Sequence, residues 1–503
     1  MKPCHPNRRS LAATLVLTVL LVLPACKAHW PEKAQSVSRR PVLYPDYGDT
    51  VIAPNVAPLN FKIKESAVRF LARIAGEKGD AVEVSTRDGR IVFPERAWKR
   101  LMAQNRGAAV WVTITVQDND GAYRRFEPVR IDIAREDVDR YVVYRLIPPM
   151  DHFWVKMGIY QRDLEGFSER PIIENQNFSV GSDGCVNCHS FRRNRPDRMS
   201  LQIRSGSFGK PMIVIKDGVA RTVDTSASGF SKSPAAYQSW HPDGRHIAYS
   251  VNKVMPLEHT IGEHRDVWDD DSDLAVYDTD TNQVSTTHDI ADPDRRETWP
   301  SWSADGRYLY FCSAPQLPMT QLHEVKYDLM RIPYDAATGT WGKRETILSA
   351  ADTGMSAAQP KESPDGRWLL FTLSDHGNFP VFQPTSDLYV IDLKSGGPKS
   401  LTALNSRWAD SWHSWSSNGR WIAFASKREG GVLARIYFSY FDRNGQAHKP
   451  FAMPQEDPSF YESCTMTYNI PELIIEPAPV SASQLGRVIA AKTTLPAPSL
   501  VRK

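Results

Sequence analysis

Apolar and polar residues alternate with a period of two through most of this chain, and the alternation breaks at glycine-bearing turns. In the N-terminal third, "AVEVSTRDGRIVF" (81–93) and "AAVWVTITVQDNDGAYRRFEPVRIDIA" (108–134) alternate around Asp88-Gly89 and Asp120-Gly121. Such dipeptides supply the positive φ angles of tight hairpins. Between them "PERAWKRLM" (94–102) changes to helical spacing with Pro94 at its start, where a fixed φ and a missing N–H cost little. The pattern predicts a small β-sandwich-like domain over 50–140 with one or two helical turns. Nothing in it suggests chemistry.

From residue 200 onward the alternation repeats. "SWHPDGRHIAY" (239–249), "SWSADGRYLYF" (301–311), "KESPDGRWLLF" (361–371) and "SWSSNGRWIAF" (414–424) share a turn, an arginine and an apolar-aromatic strand. Their turns, Asp243-Gly244, Asp305-Gly306, Asp365-Gly366 and Asn418-Gly419, are spaced by 62, 60 and 53 residues. A further strand follows in each unit ("DLAVYDTDTN", "DLMRIPYDAATG", "DLYVIDLKSGG", "RIYFSYFDRNG") and runs into Asp with Gly or Asn turn residues. One unit is thus a four-stranded antiparallel sheet that cannot cover both faces alone. Radial stacking of such sheets is a β-propeller.

These repeats resemble the TolB-type propeller repeat, with its Trp-Ser-Pro-Asp-Gly-Lys/Arg core; Glu362 stands where the other units have Trp. The resemblance covers roughly 200–470 and implies an all-β fold with a TolB-like β-propeller. "IKDGVARTV" before the repeats and "CTMTYNIPELIIEP" after them can complete further blades by ring closure between the ends, for five or six in all.

The first 25 residues differ in kind. Lys2, Arg8 and Arg9 precede an apolar run from 11 to 23, the n-region and h-region of a secretory signal and too short to favour a spanning helix. It ends in Leu23-Pro24-Ala25-Cys26, which looks like a bacterial lipobox with Cys26 as the lipidated residue; an ordinary signal cleaved near Ala25 is the alternative. Residues 26–49 then form a polar tether holding the body to a membrane. The implied location is the periplasmic side of a bacterial envelope, and Lys27 after Cys26 favours the outer membrane. Charge adds one exclusion. The 61 Lys+Arg exceed the 58 Asp+Glu only through the three basic residues of the signal, so no basic face and no nucleic-acid partner are implied.

Six cysteines divide among these features. Cys4 and Cys26 belong to the signal and its junction, and Cys312 and Cys464 lie in apolar-aromatic surroundings that suit buried free thiols, with a disulfide between them as the alternative in an oxidising compartment. Cys185 and Cys188 stand in "GSDGCVNCHSF" (181–191), followed by His189. In a CxxCH motif the two thiols can form thioethers to one porphyrin, and the histidine becomes the proximal iron ligand. A redox dithiol or disulfide would not need His189, and zinc would want a second ligand pair that is not present. Export, which covalent haem attachment requires, is met by the signal. The flanking residues 141–199 are loop-rich in their pattern, and Arg192, Arg193 or Arg195 could meet haem propionates, although such runs are more often solvated loops.

With "YPDYGDTVIAPNVAPLNF" (44–61) and "KPFAMPQEDPSFYESCTMTYNIPEL" (449–473), the chain resembles bacterial envelope lipoproteins that join one CxxCH segment to a TolB-like propeller. The resemblance implies one covalent haem c on Cys185, Cys188 and His189. It further implies a membrane-anchored monohaem c-type cytochrome for electron transfer or redox sensing, whose partner is a redox or envelope protein docked on the propeller. A non-redox scaffold is the alternative, and a haem enzyme comes third. For the distal iron ligand, the insertion "VNKVMPLEHTIGEHRDVWDD" (251–270) offers Met255, His259 and His264, with His259 favoured and Met157, Met319, His323 and Met466 as rivals. Asp266 and Asp269 to Asp271 suit a solvated acidic loop better than a calcium site, and His413 suits packing on a blade strand. No G-x-S-x-G elbow occurs, which tells against a propeller peptidase. The expected organisation is signal 1–25, tether 26–49, sandwich-like domain 50–140, haem-attachment segment 141–199, propeller 200–475 and tail 476–503.

Overall fold

A computed structural model describes residues 30–148, 157–178, 184–257, 265–491 and 493–502. The signal, Cys26, His259 and His264 lie outside the described residues. The fold is all-β, and the chain parts into two compact units: residues 1–135 with 454–466, and residues 136–453 with 467–503.

In the first unit the strand Ala109–Gln117 pairs with Arg69–Gly76, Val129–Ile133 and Tyr123–Phe126, and Leu43–Tyr44, Phe61–Ile63 and Arg90–Ile91 form a second sheet. The Asp120-Gly121 turn closes a hairpin as its residues require. Asp88-Gly89 instead joins strands of the two different sheets, because Val82–Thr86 pairs with Arg69–Gly76 and Arg90–Ile91 with Phe61–Ile63. Helix Glu95–Gln104 buries Trp98, Leu101 and Met102, the i, i+3 and i+4 positions of one face. Pro94 sits at its N-cap, one position earlier than N1.

Among the described residues the second unit holds six sheets. Five begin with the strands Gly184–Arg192, Ala235–Trp240, Arg295–Trp302, Ser356–Glu362 and Asp410–Trp415, each followed by antiparallel neighbours in chain order. The sixth joins Tyr141–Ile147, Gly158–Asp163 and Glu169–Glu174 to Thr467–Ile474 from the other end of the unit. Residues 141–199, expected to be loop-rich, are therefore largely strands of two of these sheets. The tail adds Thr494–Pro496 and Ser499–Arg502 as parallel edge strands on the sheets that begin with Gly184–Arg192 and Ala235–Trp240.

Turn chemistry follows the repeat. Gly244, Gly306, Gly366 and Gly419 take φ between 64° and 78°, and the Asp or Asn before each accepts the N–H of the arginine after it at 2.7 to 3.2 Å. Packing between sheets follows the period of two. On Tyr308–Pro315, Leu309 and Phe311 pack with Ala248, Leu274 and Val276 of the preceding sheet. Tyr310 and Cys312 pack with Ala357, Leu369 and Phe371 of the next. Each such strand is buried on both faces, which is why its sequence reads as a continuous apolar run.

Candidate functional site

The first strands of the five sheets, together with Thr467–Ile474, line one cavity of about 490 Å³. All six carry the same irregularity. In each, the pairing register shifts and one non-glycine residue takes a left-handed conformation: Cys188 (φ 44°), Tyr237 (49°), Trp299 (57°), Gln359 (57°), Trp412 (50°) and Ile470 (51°). Two residues then oppose one on the neighbouring strand, and the bulge re-aims side chains. Both residues of every bulge line the cavity: Cys188-His189, Tyr237-Gln238, Trp299-Pro300, Gln359-Pro360, Trp412-His413 and Ile470-Pro471. A left-handed non-glycine residue costs on the order of 1–3 kcal/mol. Six around one space mark where the fold is strained in favour of shape.

Aromatic rings form much of the wall. Tyr237 and Trp299 have centroids 3.7 Å apart, Trp412 meets Trp299 edge-on at 5.0 Å, and Trp240, Trp302 and Trp415 continue the lining. Several polar atoms here are buried without a partner within the protein: the indole N–H groups of Trp240, Trp302 and Trp412, Gln238 Oε1, Gln359 Nε2 and Ser414 Oγ. Each such group costs roughly 1–3 kcal/mol unless something meets it.

The titratable groups are tuned by burial. His189 and His413 are pushed down to about 3, burial acting first and then the nearby cations Arg145 and Lys361 respectively, so both imidazoles are neutral. Burial also pushes the Cys188 thiol up, which leaves it a poor nucleophile. Glu472 is raised to about 7 by burial, against the opposing pull of Lys361, and its Oε1 accepts the Phe191 N–H at 3.0 Å. Lys361 is in turn lowered by burial. The wall thus offers stacking surfaces, neutral hydrogen-bonding imidazoles and one carboxyl able to exchange a proton near neutral pH.

The haem expectation fails on this geometry. Cys185 to His189 lie on the strand Gly184–Arg192, and only Cys188 and His189 face the cavity. Cys185 is turned away, its Sγ accepting Asn187 Nδ2 at 2.9 Å. Two thioethers to one porphyrin need both sulfurs on one wall, so the residues do not fit the group. The motif has a plainer origin: "CHSF", "YQSW", "WPSW", "QPKE", "WHSW" and "IPEL" occupy equivalent places on the six lining strands. Extending the repeat two residues towards the N-terminus would have exposed these positions. The acid and amine, Glu472 and Lys361, were missed because each stands alone in its own repeat.

Other candidates scatter. Met157 Sδ accepts the Val186 N–H at 3.3 Å in the core, Met255 and Met319 are exposed, and Met466 belongs to the first unit. Arg192 pairs with Asp197 at 2.6 Å, and Arg195 with the same carboxylate at 3.9 Å. Arg193 donates to the Ala304 carbonyl. The acidic run is strand rather than loop: Asp269 is buried against Asn252 and Asn378, and Asp270 pairs with Lys253. Cys312 and Cys464 are both buried.

No family model matches the chain. In sequence it is 26% identical over 211 residues to the uncharacterized peptidase YuxL of Bacillus subtilis (strain 168), a stretch that is 37% of this chain and 28% of that protein. Among solved structures it is similar to puromycin hydrolase (TM-score 0.37, 16% identity, 62% of this chain and 45% of that one). A prolyl endopeptidase gives a TM-score of 0.35 at 12% identity, over 69% and 49% of the two chains. The sequence relative is a peptidase and not a cytochrome. With the turned-away Cys185, it corrects the expectation of a haem-bearing electron carrier or redox sensor, and haem c is withdrawn as a cofactor.

Proposed function

We propose that the second unit is a six-bladed, TolB-like β-propeller of the kind associated with hydrolases, and that its cavity binds a short peptide segment. The observation that carries this reading is the set of six left-handed bulges aimed into one space. A volume of about 490 Å³ falls within the ~300–1,000 Å³ of small-ligand sites. Aromatic faces suit an apolar or aromatic side chain, and unpartnered donors and acceptors around the wall suit the amides of an extended backbone. The sheet built from 141–174 and 467–474 is the interlock that would close such a ring.

Hydrolysis at this cavity would rest on Glu472 as the proton-exchanging group. Among the described residues no serine, histidine and carboxylate of the wall are hydrogen-bonded in series: His413 Nε2 meets the Leu370 carbonyl at 3.3 Å, and His189 meets no serine or carboxylate of the wall. We propose further that Cys26 carries the lipid that tethers the chain to an envelope membrane; a Cys26→Ser protein that stays with the membrane fraction and is processed normally would refute it.

Tryptophan fluorescence of the mature chain, titrated with defined tri- to pentapeptides bearing one aromatic residue, tests the cavity reading. Saturable binding at one site is expected. Trp412→Ala should weaken it at least about tenfold, the ~1.4 kcal/mol of one lost aromatic contact. No saturable signal, or an affinity unchanged by the substitution, contradicts the reading.

A further inference from the structure

Away from the cavity wall, three loops that join the second and third strands of successive sheets bring two imidazoles and a carboxylate together. Asp266 precedes Val267–Asp278, His323 lies on the short 3-10 turn Met319–Glu324, and His376 follows Trp368–Ser374. His376 Nε2 lies 2.6 Å from Asp266 Oδ2 and 3.2 Å from His323 Nδ1. The Gln383 side-chain amide is 3.2 Å from the same nitrogen and 3.4 Å from Asp266 Oδ1.

These contacts cannot all be hydrogen bonds. His376 Nε2 carries either one proton or one lone pair. As a donor to Asp266 it cannot accept from Gln383, and it turns its proton away from the lone pair of His323. Reversing the Gln383 amide only sets its oxygen against the carboxylate. Convergence of more lone pairs than protons can link is what a cation resolves.

A second grouping, His241, Asp243 and His246, shows the contrast. There His246 Nδ1 donates to Asp243 Oδ2 at 2.7 Å, His241 Nδ1 accepts the Asp243 N–H at 3.1 Å, and His241 Nε2 donates to the Gly306 carbonyl at 3.0 Å. All three residues belong to the one Asp243-Gly244 turn, whose Asp243 carboxylate and N–H meet both rings, and that cluster is turn structure.

We propose that Asp266, His323 and His376, with Gln383 beside them, bind one borderline divalent transition-metal ion of the zinc type. Their ligand atoms all lie within 4.8 Å of one another, and two imidazoles with one carboxylate form a set that suits such ions and leaves a coordination position open. Asp266 and His376 are largely buried while His323 is exposed, so the ion would have a route in from solvent. Neighbouring residues tie the site to the core: on the loop of His376, Asn378 accepts from Trp299 Nε1 through its carbonyl and donates to Asp269 through its side chain.

The test uses the untagged mature chain, stripped with a chelator and titrated with Zn²⁺ by calorimetry and with Co²⁺ by visible absorption. One ion per chain is expected, with a Co²⁺ d–d band. His323→Gln, at an exposed position whose loss leaves the fold intact, should weaken binding at least about a hundredfold, and Gln383→Ala roughly 10–100-fold. Zn²⁺ should raise the melting temperature of the parent but not of His323→Gln or Asp266→Asn, while the metal-free proteins melt alike. Absence of stoichiometric binding overturns the proposal. So does an affinity that His323→Gln and Asp266→Asn both leave unchanged.

Discussion

Replacing Glu472 by glutamine should change how the stability of the second unit depends on pH. Burial holds this carboxyl at about 7 in the folded chain against an ordinary 4.5. Between those values the unfolded chain has released the proton while the folded chain still holds it. Stability therefore falls as pH rises through the window, by about 1.4 kcal/mol for each pH step. It is unaffected below about 4.5 and fully reduced above about 7. Over the whole window the loss is at most about 3 kcal/mol. Glutamine keeps an oxygen for the Phe191 N–H and has no proton to lose. Asp269 and Asp387, raised to about 6, and Glu297, raised to about 8, act in the same sense, so the informative quantity is the difference between the two proteins. Urea unfolding of both at pH 4.5 to 7.5 supplies it. The glutamine variant should gain on the parent by up to about 3 kcal/mol from the low end to the high end. A difference that stays flat across the window refutes the placement of Glu472 as a buried, proton-retaining acid.

Three further outcomes follow from the packing. Phe311→Ala, at a fully buried position between two sheets, should cost about 3–5 kcal/mol, read from the denaturant midpoint; a loss under about 1 kcal/mol would contradict the assigned core. Gly306→Ala should destabilise by about 2 kcal/mol or more, because φ is +78° there and a Cβ would meet His241 Nε2 at 2.3 Å; an unchanged melting temperature would show that this turn is not formed. The four cysteines at 185, 188, 312 and 464 are buried, so they should react with a thiol reagent only after denaturant is added, and the intact mass should show no porphyrin. Porphyrin on the mass would restore the reading corrected above.

Much of the second unit was legible because its repeat is written in turn residues. Gly244 and its three counterparts must take positive φ, and each does so where expected. The sixth sheet was not legible as a sheet, since Thr467–Ile474 pairs with Tyr141–Ile147 across more than 300 residues and no local pattern encodes that pairing. The cavity was less legible still. Its six bulge residues share a backbone conformation and not a side-chain type, being Cys, Tyr, Trp, Gln, Trp and Ile. Two of those positions happened to read Cys188-His189, and with Cys185 three residues earlier they spelled a haem motif. Regular alternation would put Cys185 and His189 on one face; only the bulge at Cys188-His189, which turns His189 to the other side, separates the two meanings.

The most direct test of the peptide-binding claim is a crystal structure of the mature chain grown with an aromatic-bearing tetrapeptide. Density for the peptide is expected within the cavity, its aromatic ring against Trp299 and Trp412 and its backbone amides on Gln359, Gln238 or Ser414. Peptide bound elsewhere, or a cavity that stays free of it at saturating concentration, would contradict the account.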